Sequence, residues 1–186
     1  MATFELSVFD GDELLALARN DIEKGLFDTA LAKLKAALEL DSFPHEVFAV
    51  AGRLYAQLRL WDRAQTLLEK YLEVNPGTIT ETFQLGMVYF DSGNREQAKE
   101  TWSKMLDGAP THPPALFYTA LLYAEEGDNQ AAKELIDRLL QSAPADNLYF
   151  EKGKELQAAI AKSEASSDSA PASLKIATEA PYQTEH

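Results

Sequence analysis

Residues 83–94 read FQLGMVYFDSGN, and residues 117–128 read FYTALLYAEEGD. The two lines superpose at a shift of 34 residues, and residues 49–60, AVAGRLYAQLRL, superpose on both at the same shift. Tyr55, Tyr89 and Tyr123 fall in one column, Gly52 lands on Gly86, and Arg59, Gly93 and Gly127 share another column. The column extends upstream to Gly25, and Ala30, Ala64, Ala98 and Ala132 form a further one. Pro76, Pro110 and Pro144 keep the same spacing. A fixed period of about 34 residues is the mark of a stacked helix–turn–helix repeat.

The period tiles residues 11–146 as four units: 11–44, 45–78, 79–112 and 113–146. Each unit carries two segments with apolar residues at i, i+3, i+4 and i+7, the spacing of an amphipathic helix. Phe48, Ala51, Gly52 and Tyr55 make the first stripe of the second unit; Ala64, Leu67, Leu68, Tyr71 and Leu72 make the other. Glycine in the turn column suits a left-handed C′ residue, a conformation Arg59 would adopt at modest cost. Asp28, Asp62 and Asn94 follow that turn and are expected to cap the second helix. Proline cannot continue a helix interior, so Pro76, Pro110 and Pro144 end the units. The predicted fold is all-α, a right-handed solenoid of antiparallel helix pairs.

Outside the units, residues 1–10 form an apolar extension with Phe4, Leu6, Val8 and Phe9 in near alternation. Residues 147–162 read as one more amphipathic helix, placed to cover the open end of the array. Residues 163–186 are rich in Ser, Ala, Pro, Thr and Glu, a composition expected to stay disordered.

The formal net charge is −13. Such a surface repels phosphate backbones and anionic lipid, which argues against nucleic acid and membrane surfaces as partners. Cysteine is absent, which excludes disulfides and thiolate chemistry. No apolar run reaches the roughly 18 residues of a membrane span, and the first residues lack the basic and apolar regions of a signal peptide. A cytoplasmic protein is expected. The chain has no phosphate loop, HExxH or GxSxG, and His45, His112 and His186 lie far apart. Neither catalytic residues nor a metal or cofactor is expected; the acidic residues read as a solvated surface.

These residues resemble the tetratricopeptide repeat family. Its pattern is a large apolar residue, Leu, Gly or Ala, then Tyr in the first helix, followed by Ala, an aromatic or aliphatic, Ala and Pro. The third unit matches with Leu85, Gly86, Tyr89, Ala98, Trp102, Met105 and Pro110; the fourth with Leu116, Ala120, Tyr123, Ala132, Ile136, Leu139 and Pro144. The first is weaker, with Asp21 in place of the aromatic, as suits a terminal repeat with a more exposed face. Tyr71 stands where alanine is usual in the second.

The resemblance implies that the first helix of each unit lines a concave groove. Arg19 and Arg53 then point into it one repeat apart, and Phe83, Met87, Phe90, Phe117, Tyr118 and Leu121 make its other half apolar. Aromatic and Met side chains are favoured anchors for peptides. The family's chaperone-binding members grip an acidic C-terminus with a Lys/Asn/Asn/Lys/Arg clamp; those positions here hold Leu15, Arg19, Val50, Thr80 and Gln84, so that role is excluded. The expected function is a protein-binding module, an adaptor or client chaperone, holding a peptide in the groove. The alternatives are a homo-oligomeric scaffold assembled through the N-terminal segment and a regulatory subunit of a larger complex.

Overall fold

Half of each repeat folds as one helix in the computed structural model, which describes residues 6–165. A short 3-10 turn (Leu6–Val8) precedes α1 (Gly11–Glu23), α2 (Phe27–Leu38), α3 (Glu46–Gln57), α4 (Trp61–Val74), α5 (Ile79–Asp91), α6 (Arg95–Gly108), α7 (Pro113–Glu125), α8 (Asn129–Ser142) and α9 (Leu148–Ala165). Among the described residues there is no strand. α9 runs three residues into the stretch read as a disordered tail; the remainder of that stretch, and the first five residues of the N-terminal extension, lie outside the described residues. The chain divides by packing into two units, the first running through Val88 and the second beginning at Tyr89, inside α5.

The turn inside each helix pair is built the same way wherever the repeat places it. The amide of Arg59 donates to the Ala56 carbonyl at 2.9 Å and that of Leu60 to the Tyr55 carbonyl at 2.9 Å. Gly25, Gly93 and Gly127 donate the matching bonds to Ile22, Phe90 and Ala124. Both bonds occupy carbonyls that the helix end leaves open, and they require a left-handed C′ residue. The three glycines sit at φ of 72°, 89° and 83°, and Arg59 adopts the same region at 59°.

The expected caps are partly corrected. Leu26 and Leu60 occupy the N-cap positions of α2 and α4 and make no side-chain cap bond. Asp28 and Asp62 lie one residue inside those first turns, where a carboxylate opposes the helix dipole. Asn94 is at the N-cap of α6 but donates to the Ser92 hydroxyl instead. Asp128 caps α8 through Ala131 at 3.0 Å, and Asp10 and Glu13 form a reciprocal capping box on α1. Pro113 opens α7 at a position that needs no amide donor, with the His112 Nδ1 accepting from Ala115 at 3.2 Å.

In the first unit α1 packs on α2, α2 on α3, and α3 on α4. Leu14, Ala18, Ala30, Leu34, Leu54 and Leu68 are among its buried side chains. α3 and α4 approach so closely that a Cβ on Gly52 would lie 2.9 Å from the Leu68 Cγ, which explains glycine at this position. Asp21 is buried, not the exposed residue expected of a terminal repeat. The Thr29 hydroxyl donates to its carboxylate at 2.6 Å, and Lys33 adds a charged hydrogen bond. Together these bonds hold the Asp21 carboxyl below the usual carboxylate range, with Lys33 the larger influence.

In the second unit α6 packs on α7, α7 on α8, and α9 against both α7 and α8. A Cβ on Gly153 would come within 2.9 Å of Leu139 Cδ2, so α9 is seated as tightly as a repeat helix. Lys133 and Glu164 pair at 2.7 Å across that seam.

Candidate protein-interaction surface

The first helices of the repeats distribute the expected groove residues unevenly. On α1, Arg19 is exposed and pairs with no acid among the described residues, between exposed Ala16 and Glu23. On α3, Arg53 is part-exposed at 38% and its Nη1 donates to Glu81 Oε1 of α5 at 2.7 Å. Glu81 was not legible as Arg53's partner because the two stand 28 residues apart on different helices. Tyr71 of α4 faces this acid: burial raises its phenol first, and Glu81 and Glu46 add to the rise.

Gln84 follows Glu81 by one helical turn on α5. It is 9% exposed, and its Oε1 has no hydrogen-bond partner among the described residues. A buried amide oxygen without a donor is costly, by about 1–3 kcal/mol, and is uncommon in native proteins. Arg53, Glu81 and Gln84 therefore form a polar patch with one unsatisfied acceptor.

The apolar half departs from the expectation of an open patch. Phe83, Met87, Phe90, Phe117, Tyr118 and Leu121 are all between 0% and 6% exposed. In the second unit the reason is direct. Tyr118 sits 5.3 Å from the Trp102 ring of α6, 5.5 Å from Phe90 and 6.1 Å from Tyr149 of α9. Phe117 lies 5.7 Å from Tyr149, with the Lys152 ammonium 5.8 Å above its ring. The rings interlock at tilted and edge-on angles, the favoured geometry for aromatic pairs. Burial pushes the Tyr118 and Tyr149 phenols up. The sequence pattern did not disclose Trp102 and Tyr149 as walls of this cluster, since each stands on a different helix from the residue it covers.

No helix among the described residues is long and apolar enough to cross a membrane. Among them, no group of three or more His, Asp or Glu is placed to hold a metal ion.

Residues 83–147 match the family model described as tetratricopeptide repeat. No curated protein sequence matches the chain. Among solved structures, the chain is similar to MamA, with a TM-score of 0.63 and 23% identity over 81% of this chain and 80% of that one. It is similar to YrrB, described as a TPR protein with an unusual peptide-binding site, with a TM-score of 0.68 and 20% identity over 76% and 73% of the two chains. A tetratricopeptide repeat protein from Parabacteroides merdae ATCC 43184 gives a TM-score of 0.73 and 19% identity over 82% of this chain and 60% of that one. Folds of this kind offer their helix faces to other proteins. Helix pairs at a 34-residue period, the model matched over residues 83–147 and these neighbours show that the chain has the tetratricopeptide repeat fold.

Proposed function

We propose that the chain binds a peptide segment of a partner protein along the first-helix faces of its repeats, as an adaptor or client chaperone acting in the cytoplasm. The unsatisfied Gln84 amide oxygen carries the reading. A backbone N–H of an extended segment satisfies it, as β-type and groove-type peptide recognition both do with main-chain donors. Arg53, already turned toward Glu81, and exposed Arg19 supply positive charge on the same class of helix. Either guanidinium suits an acidic side chain or a terminal carboxylate of the segment. Phe83 and Met87, buried on the same helix as Gln84, lend that patch rigidity and little contact area, while Phe90, Phe117, Tyr118 and Leu121 serve as core of the second unit. In this reading residues 11–146 act as four repeats, with the helix that follows them closing the array.

The test is comparative capture. Wild-type chain and an Arg19→Ser, Arg53→Gln variant are immobilised, exposed to extract of the source cells, and the retained proteins quantified by mass spectrometry. A protein retained by wild type and lost from the variant supports the reading. Identical retention on both surfaces sinks it.

A further inference from the structure

A second polar side chain is stranded within the second unit. Thr119 of α7 is 1% exposed, and its Oγ1 has no hydrogen-bond partner among the described residues. It lies about 200° around α7 from Phe117 and Leu121, because residues two apart on a helix face nearly opposite ways. Thr119 is among the residues that line a cleft of about 320 Å³ between α6, α7 and α8. That volume is at the small end of ligand sites. Leu106 of α6 and Leu135 of α8 give the cleft apolar walls, while Asp107 and Glu134 bring a carboxylate from either side.

The charges at this cleft are not equally committed. Arg138 also lines it, but its Nη2 donates to the Pro110 carbonyl at 2.8 Å, which ties the guanidinium down. Glu134 accepts from the Gln130 amide at 2.8 Å and makes no ion pair among the described residues. Asp107 makes no ion pair among the described residues. Tyr123 carries the Lys99 ammonium 5.3 Å from its ring centre, and Lys99 is itself held by Glu96 and Glu126. The cleft thus holds two acids with spare acceptor capacity and one buried hydroxyl acceptor.

We propose that this cleft receives a lysine side chain from a basic segment of a partner protein. The methylene stem lies between Leu106 and Leu135, as such stems do on apolar surface. The ammonium, with three donors and no acceptor, meets Thr119 Oγ1, Asp107 and Glu134. Arginine fits less well: its planar fork favours one carboxylate bidentately, and here the acids stand on different helices. The net charge of −13 draws basic segments toward the chain in general, and the cleft selects within them. This surface is distinct from the Arg53–Gln84 patch, so either assignment stands or falls without the other.

The probes are the peptides acetyl-Ala-Lys-Ala-amide, its norleucine counterpart and its arginine counterpart, titrated into the full chain with backbone amides followed by NMR. The lysine peptide is expected to give saturable shifts centred on Thr119, Tyr123 and Leu135, and the norleucine peptide none. Thr119→Val and the pair Asp107→Asn, Glu134→Gln should each weaken lysine-peptide binding by about fivefold or more. Thr119→Val is isosteric and removes a buried orphan, so it should fold at least as well as wild type; the acid pair is exposed and leaves the core untouched. Equal shifts from lysine and norleucine peptides overturn the proposal. So do shifts spread over the acidic surface, equal binding of the arginine peptide, or unchanged lysine binding by Thr119→Val.

Discussion

The Lys33 ammonium of α2 donates to the Asp21 carboxylate of α1, in the position where the other repeats carry tyrosine. A charged hydrogen bond has replaced an aromatic contact in tying the first helix pair together. Thr29 adds a second donor at 2.6 Å.

Acid should therefore loosen the first pair. The Asp21 carboxyl titrates below its ordinary value of 3.8 in the folded chain, so the unfolded state binds its proton first. The stabilisation is fully present above that ordinary value and is lost as pH falls through the lower folded one. Asp21→Asn should lower unfolding free energy by about 1–3 kcal/mol at neutral pH. The gap to wild type should narrow below pH 4. Urea titrations of both proteins between pH 2.5 and 7 check this; a gap that is constant with pH contradicts it.

The aromatic cluster of the second unit should behave as core. Phe117→Ala should cost about 3–5 kcal/mol of stability, since it removes a fully buried ring packed against Tyr118 and Tyr149. Chemical denaturation followed by tryptophan fluorescence reads the loss directly, because Trp102 belongs to the same cluster. A loss under 1 kcal/mol would show the ring to be exposed in solution.

That outcome bears on what the sequence could disclose. The 34-residue period and the left-handed turn column were legible, because each follows from local geometry that repeats. The state of α7 was not. From Ala115 to Leu122 every residue of that helix is buried, so its apolar pattern has no polar side to mark a groove. Whether Phe117 and Tyr118 face a groove or a neighbour depends on where α9 docks, and α9 lies beyond the last repeat. Asp21 misled for a related reason: its partner Lys33 stands 12 residues away on the next helix, so the pair has no local signature.

The turn column offers a backbone test. Arg59 occupies at φ 59° the conformation that glycine holds in the other three turns. The left-handed region costs a side-chain-bearing residue roughly 1–2 kcal/mol, partly offset by the greater entropy glycine loses on folding. Arg59→Gly should raise stability by about 0.5 kcal/mol, whereas Gly127→Ala should lower it by about 1 kcal/mol. Thermal melts of the two variants should move in opposite directions; a shared direction would contradict the repeated turn geometry.

Close helix contact makes a further prediction at Gly52. Alanine there gains helix propensity of about 1 kcal/mol but drives its Cβ to 2.9 Å from the Leu68 Cγ, an overpacking worth about 1–3 kcal/mol. Gly52→Ala should be net destabilising, and Leu68→Ala in the same chain should recover part of the Gly52 penalty. A double-mutant cycle measures the coupling, and additive effects would argue against the contact.

Binding through the Gln84 patch is tested most directly by Gln84→Leu. The free variant should be more stable than wild type, because the buried unsatisfied amide oxygen is gone. The same variant should bind the captured partner segment about tenfold more weakly, because that segment's N–H loses its acceptor. Fluorescence anisotropy with the labelled segment, read beside urea denaturation of the free chain, separates the two effects. Higher stability with weaker binding is the predicted result; unchanged or tighter binding would contradict the proposal that a partner backbone satisfies Gln84.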